Sequence, residues 1–197
     1  MCIRDSVTNG AVSGAEPVVD RNGTRASALA FDGVDDSVRF EQAGALNVAQ
    51  DFSIALWIEP GEQIGNAWYT LFEKSDPERG GHSRYGLWLH GVRPAACFEA
   101  SDNSQQPCVE SEVDLPLDGW HHVAAVRDQR RLIIYIDGAE VANGFVGLHE
   151  VSQTNFDAFI GNDGYEPGAP WLDATLDDLR VYNRALSPAE IIELAES

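Results

Sequence analysis

Hydrophobic and polar positions alternate with period two through most of this chain, the pattern of half-buried strands. In DFSIALWIE (51–59), Phe52, Ile54, Leu56 and Ile58 fall on one face and Ser53, Ala55, Trp57 and Glu59 on the other. WYTLFEK (68–74), YGLWLHG (85–91), WHHVAAVR (120–127), RLIIYIDG (131–138) and DAFIGND (157–163) are further short runs. Turn residues separate them, among them Asp128-Gln129-Arg130 and the hairpin signal Asp137-Gly138. About twelve short strands with almost no helical periodicity predict an all-β sandwich.

The C-terminal stretch LDDLRVYNRALSPAEI (176–191) differs. It begins as a strand, with Leu179 and Val181 at alternate positions and Asp177 in phase with them. It ends as a helix: Ser187 suits an N-cap, Pro188 the first helical position, and Glu190 completes a capping box. At the other end, residues 7–26 are small and polar, with Asn9-Gly10 and Asn22-Gly23 turn signals, and read as a tail or linker leading into an edge strand. The domain is therefore expected over 27–197, after a tail at 1–26. The opening MCIRDS lacks the positive-then-apolar pattern of a secretory signal and resembles a translated sequencing adaptor of an environmental fragment. Residues 1–6 are set aside on that ground, and the chain is read as part of a larger protein.

Three segments carry a family resemblance, and they occur in the expected order. LAFDGVDDSVRF (29–40) is similar to an opening hairpin, DGWHHVAAVRDQRRLIIYIDGAEVA (118–142) to a central strand pair, and 176–191 to the closing strand and helix. Together they resemble a laminin-G-like jelly-roll domain of the concanavalin A-like lectin/glucanase superfamily, over about residues 28–192. The resemblance implies a two-sheet antiparallel jelly-roll β-sandwich with a short C-terminal helix. It leaves function open, because the fold hosts lectins, adhesion modules and hydrolases.

Composition narrows the partners. The net charge is −19, from 32 acids against 13 bases, and Lys74 is the sole lysine. Such a surface repels phosphate backbones, which excludes nucleic acid. No stretch approaches the ~20 apolar residues of a membrane helix, so no membrane insertion is expected. The acidity has two readings, solubility or a saline habitat where salt screens carboxylate repulsion.

Catalysis finds little support. Glu112-Val113-Asp114 is the nearest approach to a strand-borne acid motif, and Pro116 would break the strand. Glu73 and Glu99 lie on strand-like runs with nothing to pair them. His121 and His122 point to opposite faces of a strand, which suits a fold element better than a metal grip. No catalytic residue is assigned.

Calcium is the better-supported cofactor, because Ca²⁺ takes carboxylates and backbone carbonyls at loop ends. Asp32-Gly33-Val34-Asp35-Asp36, Asn162-Asp163-Gly164 and Asp177-Asp178 are the acidic turns. The family resemblance implies a structural calcium joining the first and last strands, with Asp177 as one ligand and Asp32 as a second. The alternative is that these acids are turn formers on an acidic surface.

Cys97 and Cys108 flank turn residues, and a hairpin centred between Asp102 and Asn103 would set them opposite one another at disulfide distance. Two separate buried thiols are the alternative. A disulfide favours an oxidising compartment, extracellular, periplasmic or at the cell surface. Glycan binding would use aromatics as stacking platforms. Tyr165 and Trp171 in the loop GNDGYEPGAPW are the preferred candidates, with Trp68 beside them. The expected function is a non-catalytic carbohydrate-binding module of a larger exported protein. Its partner would be a glycan or a cell-surface protein, beside neighbouring domains of the same chain. A protein–protein adhesion module is the first alternative, and a glycoside hydrolase or lyase the second.

Overall fold

A computed structural model describes residues 10–76, 82–101, 106–151, 153–162 and 168–197. Among them the strands form two antiparallel sheets of seven strands each. Sheet 1 runs, in lateral order, β1 (Ala11–Ser13), β4 (Ser37–Phe40), β13 (Ala158–Gly161), β6 (Trp68–Asp76), β7 (His82–His90), β8 (Arg93–Phe98) and β9 (Cys108–Glu110). Sheet 2 runs β12 (Ala139–Phe145), β11 (Arg131–Ile136), β10 (His121–Asp128), β5 (Phe52–Pro60), β14 (Asp173–Tyr182), β3 (Ala28–Asp32) and β2 (Glu16–Val18). The two-sheet sandwich predicted from the alternation is present.

The alternation places the core. Phe52, Ile54, Leu56 and Ile58 of β5 turn inward and are essentially buried, meeting Leu71, Phe72, Leu87 and Phe98 of the facing sheet. The opposite face of β5 is also covered over its first half. Ala55 packs with Ala124, Val126, Tyr135, Leu186 and Ile191 beneath the helix α1 (Pro188–Ala195). Helix α1 starts as the sequence predicts: the Ser187 hydroxyl accepts from the Glu190 amide, and the Glu190 carboxylate accepts from the Ser187 amide at 2.8 Å.

Two expectations change. Residues 11–18, read as part of a tail, supply an edge strand to each sheet: β1 pairs with β4, and β2 with β3. The closing strand also departs from simple alternation. A register shift falls between Asp177 and Arg180 of β14, and Asp178 has φ +50°. One extra residue at a bulge inverts the phase of everything beyond it. Asp177 therefore pairs with Trp57 on the outer face, while Leu179 is wholly buried in the core. The sequence reading put Asp177 on the same face as Leu179 and Val181, and the bulge is why that fails.

Candidate functional site

Trp68 opens β6, and the antiparallel register sets it directly opposite His90 at the end of β7. Opposed residues share a face. Their rings stack with centroids 4.5 Å apart and planes 5° from parallel. Trp68 remains 45% exposed, the most exposed of the large aromatics among the described residues save Phe145 at 75%. A two-residue turn, Gly91-Val92, then returns the chain so that Arg93 lies opposite His90. Gly91 has φ +60°, a conformation that glycine adopts without steric cost.

Three segments meet beside this stack and enclose a shallow cleft of about 440 Å³, within the size range of small-molecule sites. Its polar lining is Asn66, His90, Arg93, Glu110 and Asp114. Each segment is anchored by hydrogen bonds. The Gly65 amide donates to the Tyr69 hydroxyl at 2.7 Å. The Gly91 amide donates to the Ala67 carbonyl at 2.7 Å, and the Leu115 amide to the Val92 carbonyl at 2.8 Å. The walls are thus fixed by hydrogen bonds of their backbone amides before any ligand arrives, which lowers the ordering cost of binding.

The charges in the cleft are paired. Both Glu110 carboxylate oxygens lie 3.1 Å from His90 Nδ1. Arg93 Nε donates to Asp114 at 2.9 Å. The hydrogen bond and charge of Asp114, with the charges of Glu110 and Glu112, raise the Arg93 guanidinium above its ordinary pKa.

The other predicted residues lie elsewhere. Trp171 is half-buried just before β14, and Tyr165 lies outside the described residues. So do Asp163 and Gly164, and the expected hairpin tip at Asp102-Asn103. Cys97 and Cys108 are directly opposed on β8 and β9 and form a disulfide, with Cα atoms 4.1 Å apart. Trp57 and Trp88 lie on the outer faces of their sheets. Arg21 stacks over the Trp57 ring at 4.7 Å, and Trp88 Nε1 donates to Glu73 at 2.9 Å. Glu73 also accepts from the Ser75 hydroxyl at 2.6 Å. Glu73 is aligned with Gly86 and then Cys97, with Glu99 two residues further on. That register puts the Cα atoms of Glu73 and Glu99 roughly 12 Å apart.

Asp177 and Asp32 do not meet. Asp32 pairs with Asp173, four residues before Asp177 along β14, which separates the two acids by about 13 Å. The nearly buried Asp177 carboxylate is instead bound by Arg21, whose second nitrogen reaches Asp178 at 3.1 Å. A carboxylate in that position needs a compensating charge, and a guanidinium from the N-terminal segment supplies it. The sequence reading had no means of placing Arg21 there. A different acidic group does converge: the carboxylates of Asp32, Asp35 and Asp36 lie within 4.8 Å of one another. Burial raises Asp36 above the usual carboxylate range; a bond from the Asp32 amide opposes this, and the Asp32, Asp35 and Glu16 charges add to it. An all-oxygen set of mutually repelling carboxylates suits a hard cation such as Ca²⁺.

The fold, the paired sheets and the closing capping box define a jelly-roll β-sandwich. The chain belongs to the concanavalin A-like lectin/glucanase superfamily: the Laminin_G_3 family model, so described, matches residues 32–192. No curated protein matches it by sequence. Among solved structures, it resembles the binding domain of Paraclostridial Mosquitocidal Protein 1, with 17% identity and a TM-score of 0.74 over 95% of this chain and 47% of that one. It also resembles the receptor binding domain of botulinum neurotoxin C/D mosaic serotype, with 13% identity and a TM-score of 0.72 over 96% and 46%. The botulinum neurotoxin serotype D ligand binding domain, in complex with N-acetylneuraminic acid, matches with 13% identity and a TM-score of 0.70 over the same shares. The chain thus spans about half the length of these structures. At such identities the likeness is one of fold.

Proposed function

We propose that this domain is a non-catalytic carbohydrate-binding module of a larger exported protein, and that the Trp68–His90 cleft is where the glycan binds. The observation that carries the reading is the exposed, pre-stacked Trp68 ring beside a cleft lined by hydroxyl-reading groups. A sugar's C–H face can lie on such a ring while side-chain amides and carboxylates fix its hydroxyls. The superfamily is one of lectins as well as glucanases, and one matched toxin domain is in complex with a sugar. The engagement of Glu73 with Trp88 and Ser75 supports a non-catalytic reading. The Cys97–Cys108 disulfide supports an oxidising compartment.

The test is a glycan array probed with the native domain and with Trp68→Ala. The native protein is expected to retain a defined set of glycans. The variant should lose them, by at least tenfold or about 1.4 kcal/mol, at unchanged melting temperature. Equal binding by both would remove the cleft from the account. A protein partner is the second reading, favoured by Phe145 at 75% and Leu148 at 52% exposure, at and just beyond the end of edge strand β12. On that reading Phe145→Ser, and not Trp68→Ala, would abolish binding.

We place the calcium proposal at the Asp32–Asp35–Asp36 turn and no longer at Asp177. There the ion's two positive charges would offset most of the repulsion among three carboxylates. It would also stiffen the turn, which is tied to the approach of β14 by a bond from the Gly33 amide to the Leu172 carbonyl at 3.0 Å.

A further inference from the structure

We infer that the Trp68–His90 cleft selects neutral sugars and rejects anionic ones, an inference that rests on the glycan reading above. The lining holds two carboxylates, Glu110 and Asp114, against one guanidinium, Arg93. Arg93 is not a vacant anion receptor: its Nε is already bonded to Asp114 at 2.9 Å, in the field of Glu110 and Glu112. His90 is likewise engaged, with Nδ1 facing both Glu110 oxygens at 3.1 Å. A ligand carboxylate that reached the remaining Arg93 donors would sit beside Asp114 and Glu110 as a like charge.

A neutral pyranose meets no such conflict. Its hydroxyls can donate to Glu110 and Asp114, which as ionised carboxylates are acceptors only. They can accept from the Asn66 amide, and a sugar that extends past His90 can lay its C–H face on Trp68, which flanks the cleft without lining it. The whole molecule acts in the same direction. A net charge of −19 raises a long-range barrier to polyanions, and salt shortens its reach. Cleft and surface therefore discriminate by the same sign of charge, one locally and one at a distance.

The experiment is calorimetric titration of the full chain with matched oligosaccharide pairs. One series holds glucose, galactose or mannose oligomers. The other holds uronic-acid oligomers of the same linkage, differing by a carboxylate at C6, with lactose and sialyllactose as a further pair. Each pair is measured at low and at high NaCl. The expected result is binding of a neutral oligomer at least tenfold tighter than its anionic partner at low salt. High salt should narrow that gap while changing neutral binding less than twofold. Trp68→Ala should abolish the neutral binding, and the double variant Glu110→Gln, Asp114→Asn should narrow the gap, with folding checked by melting temperature. Anionic oligomers binding as tightly as neutral ones, in a Trp68-dependent way, would overturn this inference and leave the glycan reading standing. Selective neutral binding that survives Trp68→Ala would overturn the assignment to this cleft. No binding in any series would overturn the glycan reading, and the inference with it.

Discussion

His122 lies on the outer face of sheet 2 against Trp57, ring centroids 5.5 Å apart, and is only 2% exposed. Its Nδ1 has no hydrogen-bond partner among the described residues. Burial pushes its pKa down to about 4; Asp137 opposes the shift, and Arg180 and Arg21 add to it. The folded state thus holds His122 neutral at a pH where the unfolded chain, near 6.5, would take up a proton. Stability from this group is complete above about pH 6.5 and is lost as pH falls toward about 4. The loss is on the order of 3 kcal/mol. Urea unfolding between pH 7 and 4 measures it, and His122→Phe should flatten that stretch of the curve. A native curve already flat there would contradict the buried neutral imidazole. Beside it, Arg21→Ala should strand the Asp177 carboxylate and destabilise by about 3 kcal/mol, read by the same unfolding experiment. An effect below about 1 kcal/mol would mean that Asp177 has other compensation.

At the scale of elements, the strands were legible because each carries its own alternation and its own turn. The β5 pattern alone identified which of its faces meets the core. What lay beyond reading depends on register between strands distant in sequence. Trp68 came to lie beside His90, and His90 beside Arg93 and Glu110, only through the pairing of β6, β7, β8 and β9. Gly91 after His90 was the available signal, since a tight turn there sets Arg93 across from His90. The bulge at Asp178 was hidden for another reason: alternation assumes one conformation throughout, and a single positive φ breaks it. Aspartate tolerates that region better than most residues, so the Asp177-Asp178 pair was its one trace. The same strand scale carries two predictions. Removing the Cys97–Cys108 link by Cys97→Ser, Cys108→Ser should cost about 2–3 kcal/mol, the value for a loop of roughly ten residues. Unfolding of the variant at native stability would show that the hairpin needs no staple. Calcium held only by the folded Asp32–Asp36 turn would add about 2.7 kcal/mol at a hundredfold excess over Kd. EDTA should therefore lower the melting temperature of calcium-loaded protein, Asp36→Asn should abolish the response, and Asp177→Asn should leave it. A melting curve indifferent to EDTA and calcium would leave the three acids as turn formers.

For the whole molecule the charge dominates. Lys74, the single lysine, is buried and donates to the Ala43 and Thr154 carbonyls and to Asn47, all within 2.7 Å. The surface is therefore one of carboxylates and arginines. At 0.01 M salt the ~30 Å screening length lets those carboxylates repel across the domain. Raising NaCl should increase the melting temperature, and a constant or falling value would leave solubility as the reading of the acidity. The most direct test of the central claim is nuclear magnetic resonance of the labelled domain titrated with a glycan retained on the array. The Trp68 indole should shift, together with the Asn66, His90 and Arg93 amides, while the Trp57 and Trp171 indoles stay in place. Shifts centred on Trp171, or spread without focus on Trp68, would contradict the assignment of the binding site to the Trp68–His90 cleft.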